Sequence, residues 1–224
     1  MAHHISSFLS FLAILAALQV TTAMDYTVTN TASTTPGGLK FTNKIGDIYT
    51  KKTLISATRF IILNIFLQKR MIERKDVESI SVFIDDMGGV AYTFDNNIHV
   101  SANYIQGYSG DIRNEITGVL IHEMAHVWQW DGNGQAPSGL IEGIADYARL
   151  KAGYAPSHWV QPKQGDRWDQ GYDVTARFLD YCNGLNKHFV AQLNKKMRIG
   201  YNNGFFIELL GKTVDQLWAE YKAS

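Results

Sequence analysis

Residues 118–159 read GVLIHEMAHVWQWDGNGQAPSGLIEGIADYARLKAGYAPSHW, and the rest of the chain is interpreted outward from them. Inside this stretch, His122-Glu123-Met124-Ala125-His126 sets two histidines four residues apart. On a helix, residues at that spacing share a face, so both imidazoles can reach one metal ion. Glu123 sits beside that face, where it can take a proton from water at the metal and pass it to a leaving amine. The pattern arises by chance in on the order of a percent of chains this long, given ordinary residue usage. Alone it leaves the class open.

The third ligand separates the classes. A metzincin-type chain continues with glycine and histidine at fixed steps after the second histidine, but Gln129 and Gly132 stand there. Asp131 is the nearby carboxylate. Glu142, at the start of a second helical pattern, is the other choice, since a helix packed against the first can complete a two-His, one-Glu site. Its neighbours Leu140, Ile141, Ile144, Ala145 and Leu150 make that helix largely buried, and a buried carboxylate needs a metal or an imidazole as partner. This argument favours Glu142 over Asp131. Asp146, one turn on, is placed to accept the other ring N–H of a ligand histidine, with His122 the first choice.

Outward from the motif, the pattern predicts a helix from Ile112 to about Trp130, with Asp111 as N-cap, and a second from Leu140 to Lys151. Upstream, Ile80–Ile84, Val90–Phe94 and Asn97–Ser101 are short β candidates, and Thr50–Lys69 carries the apolar stripe of a core helix. Residues 25–38 read as an extended lead-in with room for one strand. Downstream, helices are expected at Asp173–Cys182, Lys187–Arg198, Gly204–Leu210 and Val214–Lys222, after a long loop over 154–171. The expected class is α+β in one domain over 24–224: a small mixed sheet, an active-site helix and a helical C-terminal half.

Across its 224 residues the chain has 21 Lys plus Arg against 21 Asp plus Glu, so no charge excess points to nucleic acid. The apolar run Phe8–Val20 ends in small residues and reads as a secretory signal peptide over 1–23, too short to span a membrane. No stable membrane association is expected. Secretion usually brings disulfides, yet Cys182 is the sole cysteine and is expected as a buried thiol. No N-x-Ser/Thr sequon occurs. The oligomeric state leaves no mark in the sequence.

The 118–159 segment, together with VTNTA, GGLKF, IGDIYTKKTLISAT, GVAYTFDNNIHVSANYI, GYDVTARFLDYC, LNKKM and LLGKTVDQLWAEYK, resembles the plant basic secretory protein family. That family is placed among zincin-like peptidases of plants and bacteria, and the resemblance covers nearly all of the chain past the leader. It implies a secreted, defence-associated protein of apoplast or cell wall with a zincin-like fold. Zinc would be held by His122, His126 and Glu142, with Glu123 as base and peptide or protein as substrate. One departure is plain: the family is called basic and this chain is formally neutral.

Two further features bear on the site. Zincin-like sheets set an antiparallel edge strand above the metal, where a peptide can pair, and Gly88–Tyr92 suits that edge or a plain strand turn. Tyr172, His158 and Tyr154 are candidate donors to the oxyanion of a tetrahedral intermediate, with Tyr172 the first choice. Trp128 and Trp130 are expected to pack around the motif helix, and Trp159 and Trp168 to line a cleft. His99 and His188 lack ligand spacing and are expected to be structural or solvent-facing. The competing reading is a secreted defence or binding protein on the same scaffold with little turnover. A metal-dependent hydrolase of a non-peptide substrate would keep the same site.

Overall fold

A computed structural model describes residues 24–224, so the expected leader at residues 1–23 lies outside the described residues. The chain is a mixed α+β structure built on a small four-stranded sheet. Strands β1 (Asp25–Asn30), β2 (Ser79–Asp85), β3 (Ala91–Phe94) and β4 (Asn97–Ser101) stand in the order β1-β2-β4-β3. β1 and β4 both run parallel to β2, and β3 closes the edge antiparallel to β4. Alternation decides which face is core. Ile80, Val82, Ile84, Ile98 and Val100 are buried, while Phe83, Asp85 and His99 point to the other side.

Between β1 and β2 come α1 (Pro36–Lys44) and α2 (Gly46–Phe60), the crossover that a parallel pair requires. The expected helix over Thr50–Lys69 therefore starts earlier, and it ends in a π-helical turn at Ile61–Ile65. The lead-in holds the expected strand, but also α1, which the Thr- and Gly-rich composition concealed. Thr35 caps α1 by accepting from the Gly38 N–H at 3.1 Å, and Pro36 begins its first turn. A short helix, α3 (Ala102–Gly107), follows β4 directly, in a stretch for which no helix was expected.

The motif helix α4 (Ile112–Trp128) is buried on nearly every side, packed on α2, β3 and α5. Asp111 caps it as expected, accepting from the N–H groups of Arg113 and Asn114 at 3.0 and 3.1 Å. It stops two residues short of Trp130, with Gln129 extended. Helix α5 (Ser138–Lys151) returns from the glycine loop and packs on both α4 and α6 (Tyr172–Leu185). Helices α7 (Phe189–Lys196), α8 (Gly204–Leu210) and α9 (Val214–Ala223) complete the helical half.

Trp128, the last residue of the motif helix, is buried, and Trp168 packs inside an aromatic cluster with Phe178 and Phe206 instead of lining a cleft. Cys182 is fully buried, and burial pushes its thiol pKa up. Among the described residues no helix is long and apolar enough to cross a membrane.

Candidate metal centre

His122 and His126 project from one face of α4, and α5 brings Glu142 to them. The three ligand atoms form a tight triangle. His122 Nε2 lies 3.1 Å from His126 Nε2 and 3.2 Å from Glu142 Oε2, and His126 Nε2 lies 3.5 Å from that oxygen. Among the described residues this is the group of His, Cys, Asp and Glu side chains that could hold a metal ion. Asp131 lines the same cleft but stands outside the triangle.

Gly143 explains how Glu142 gets there. A Cβ at that position would sit 2.2 Å from Thr175 Cγ2, so the bare backbone lets α5 press against α6 at the level of the site. Asp146, buried one turn beyond, bonds His122 Nδ1 at 2.6 Å. That contact fixes the proton on Nδ1 and leaves Nε2 free to ligate.

The electrostatics follow from this crowding. Burial works to lower the His122 pKa, but its hydrogen bonds to Asp146 and Glu142 outweigh it and push the value up to about 10. Burial works to raise Glu142, yet its bonds to His122 and His126 hold it down at about 2. The triad is thus a carboxylate facing the His122 imidazole, which is drawn to hold a positive charge.

Three residues at the site escaped the sequence reading. Gln129, 2% exposed, sets its amide 2.7 Å from His126 Nδ1, the counterpart of Asp146 on the other ring. Its Oε1 is buried without a partner, so exchanging the two amide atoms lets that oxygen accept the Nδ1–H. Gln129 lies one turn beyond His126, so its spacing on the helix was a usable signal. Thr93 donates to Glu123 Oε2 at 2.6 Å and ties the edge strand to the motif helix. Arg149 lines the cleft and pairs with buried Glu115 at 2.9 Å. Neither Thr93 nor Arg149 left a local trace.

The centre opens into a cleft of about 910 Å³. One wall is Gly89 to Thr93 on the sheet edge. Ser101 N–H donates to Val90 O, which makes the pairs at Val90, Tyr92 and Phe94 the hydrogen-bonded ones. Ala91 and Thr93 therefore turn their N–H and C=O groups to the free edge, toward any extended chain lying in the cleft.

Tyr172 stands over the opposite side. Its ring is parallel to the His122 imidazole at 9°, with centroids 6.2 Å apart, and 57% of the residue is exposed. Its φ of 46° is left-handed, a conformation that costs a tyrosine about 1–3 kcal/mol. The negative charge of Glu142 raises its pKa, with burial adding to the effect, so the hydroxyl keeps its proton. His158 and Trp159 also line the cleft, whereas Tyr154 does not and instead accepts from Arg149 through its carbonyl. Trp130 lies between Lys75 and Arg198, each over its ring. His99 stacks between Phe83 and Tyr92 and bonds Asp85, and His188 is exposed at the start of α7.

A family model described as peptidase of plants and bacteria (BSP) matches residues 21–221. A basic secretory protease of Boswellia serrata is 53% identical over 57 residues, covering 25% of this chain and 64% of that relative. The match thus spans a little under two thirds of the curated relative. No solved structure gives a significant match. The family match runs through the edge strand, both helices that carry the triad and the helical half beyond, and the chain belongs to the BSP family, the peptidases of plants and bacteria.

Proposed function

We propose that this protein is a secreted zinc metallopeptidase with a zincin-like fold, in which His122, His126 and Glu142 hold the metal. The triangle of ligand atoms carries the reading. Zinc bound tetrahedrally at 2.0–2.1 Å separates its ligand atoms by about 3.3 Å, and the observed edges run from 3.1 to 3.5 Å. Two imidazoles, one carboxylate and an open side are the donor set of a catalytic zinc. Asp146 and Gln129 supply the acceptors that ligand histidines need on their other nitrogen. Zinc held there would supply Lewis acidity, polarising the scissile carbonyl and making water a nucleophile at neutral pH.

The chain's own groups do the rest. An extended peptide pairs with the free edge at Ala91 and Thr93, which sets a carbonyl beside the triad. Glu123, its carboxylate held by Thr93, takes a proton from the attacking water and hands it to the departing amine. The water oxygen joins the carbonyl carbon, the C–N bond breaks, and the second proton is lost from the new acid. Tyr172 donates its hydroxyl proton in a hydrogen bond to the oxygen that gathers charge.

Export is supported by the leader-like residues 1–23 and by the name of the relative, a basic secretory protease. A defence role outside the plant cell rests on the family resemblance alone.

The test is Glu123→Gln. The amide keeps size and shape but cannot act as a base, so peptide turnover should fall by about 10²–10⁴-fold while zinc stays bound. Metal analysis beside a peptide-library digest reads both quantities. Wild-type turnover in that variant would remove Glu123 from the mechanism.

A further inference from the structure

The face of the sheet turned away from the core carries an aromatic row that the chemistry above leaves unused. Phe83 on β2, His99 on β4 and Tyr92 on β3 are register partners, each directly across from the next. Their rings stack in that order, with centroids 5.0 and 4.6 Å apart and planes 16° and 8° from parallel. His99 Nδ1 is bonded to Asp85, which also accepts from the Thr31 hydroxyl, so the middle ring is held from turning.

The order of the strands decides what the last ring faces. His99 covers one face of Tyr92 from the β4 side. The other face therefore looks away from β4, off the free edge of the sheet. Among the described residues no other ring stacks on it, and Tyr92 is one of the residues lining the cleft. Edge strands are usually blunted by charge, because a bare apolar edge invites other chains. β3 is not blunted. Its outward positions are Tyr92 and Phe94, 50% and 74% exposed, while Thr93 between them turns inward to Glu123.

A strand added to this edge lies about 4.8 Å from β3. The rings of the row already repeat at that interval, so a further side chain joins the stack without a shift of either backbone. The residue of the added chain that lies across from Tyr92 shares its face. When Ala91 and Thr93 bond an antiparallel chain, that residue and Tyr92 form a non-hydrogen-bonded pair, the kind whose side chains stand closer. Resting on the peptidase reading above, we infer that Tyr92 is a specificity-determining residue whose free ring face selects an aromatic side chain at the substrate position across from it. The selected side chain points away from the triad, so Tyr92 acts on which peptide is held and not on the chemistry at the carbonyl.

The experiment takes one peptide that the zinc-loaded protein cleaves and replaces each residue near the cut in turn by Phe and by cyclohexylalanine. The two are close in size and apolar surface, and only Phe has a π-face. At one position Phe should be favoured in kcat/KM by about three- to tenfold, the worth of an aromatic pair beyond its buried area. Tyr92→Leu should abolish that preference and Tyr92→Phe should keep it. Equal rates for both peptides at every position, or a preference that survives Tyr92→Leu, would overturn the inference and leave the peptidase reading intact. Failure to cleave any member of a peptide library would instead remove that reading and the inference with it.

Binding gives a second readout, free of turnover. In a Glu123→Gln background, fluorescence anisotropy should show the Phe peptide bound more tightly than the cyclohexylalanine peptide by the same factor, and equally once Tyr92→Leu is added. A preference in binding that ignores Tyr92 would place the aromatic subsite elsewhere in the cleft. A dimer in sedimentation that Tyr92→Leu dissociates would give this face to a second copy of the chain and overturn the inference.

Discussion

At the scale of single residues, the proposed centre sets protons and a metal in competition for the same nitrogen atoms. Ligation needs neutral imidazole, and the hydrogen bonds that His122 makes to Asp146 and Glu142 overcome burial to push it up to about 10. In the metal-free protein at pH 7 this ring is expected to hold a proton on both nitrogens. Zinc uptake should therefore release a proton, and apparent zinc affinity should climb with pH toward that value. Calorimetric titration in two buffers of different ionisation enthalpy counts the protons, and uptake without release would contradict the geometry. The stability of the metal-free fold runs the other way. The raised His122 contributes fully below its ordinary 6.5, and this is lost as pH rises through about 10. The lowered Glu142 contributes above its ordinary 4.5, and this is lost as pH falls through about 2.

The ligand assignment is tested by ranking three variants in one buffer. Glu142→Ala should strip most of the zinc, since it removes one corner of the triangle. Asp131→Ala should leave affinity nearly unchanged, because its carboxylate stands outside that triangle. Asp146→Asn should fall between, with a loss of roughly 10–100-fold from the weakened orientation of His122. The reverse order for Glu142 and Asp131 would give the third corner to Asp131.

At the scale of elements, two helices and one edge strand make the site, and each is held by a contact distant in sequence. Helix α5 reaches α4 only because it also lies close on α6, with Gly143 against Thr175. Gly143→Ala should cost about 1–3 kcal/mol through overpacking, read as a lower midpoint in denaturant. Zinc affinity should drop with it as Glu142 shifts; an unchanged midpoint would mean that the two helices are free to part. The expected helices and strands of the sequence reading recur here with ends moved by a few residues. The sharper differences are α1 and α3, both short helices whose start is set by a capping hydroxyl, Thr35 or Ser101. Their composition looked like loop because caps are local signals without a long apolar period behind them.

At the scale of the whole molecule, a bound ion would join helices that enclose the core from two sides, in a chain with one cysteine and no disulfide to help. Zinc binding only to the folded state should raise stability by about 2.7 kcal/mol when free zinc is a hundredfold above Kd. Thermal melts with zinc and with a chelator measure the difference. It should vanish in His122→Ala, and persistence there would place the stabilising ion elsewhere.

The sequence by itself determined that His122 and His126 share one face, because four residues on a helix is a fixed geometry wherever the helix lies. It also narrowed the third corner to Glu142 through the apolar neighbours that oblige a buried carboxylate to find a partner. Gln129 was within reach of the same helical spacing. Tertiary structure alone decided which groups stand opposite: Thr93 against Glu123 and Arg149 against Glu115, joined across 30 and 34 residues of chain. Hydrophobic periodicity states which face of an element is buried, and it carries no record of what that face meets. A polar side chain turned inward looks the same in sequence whether it closes an ion pair or aims at a substrate. Only the packing of β3, α4 and α5 around one cleft tells the two apart.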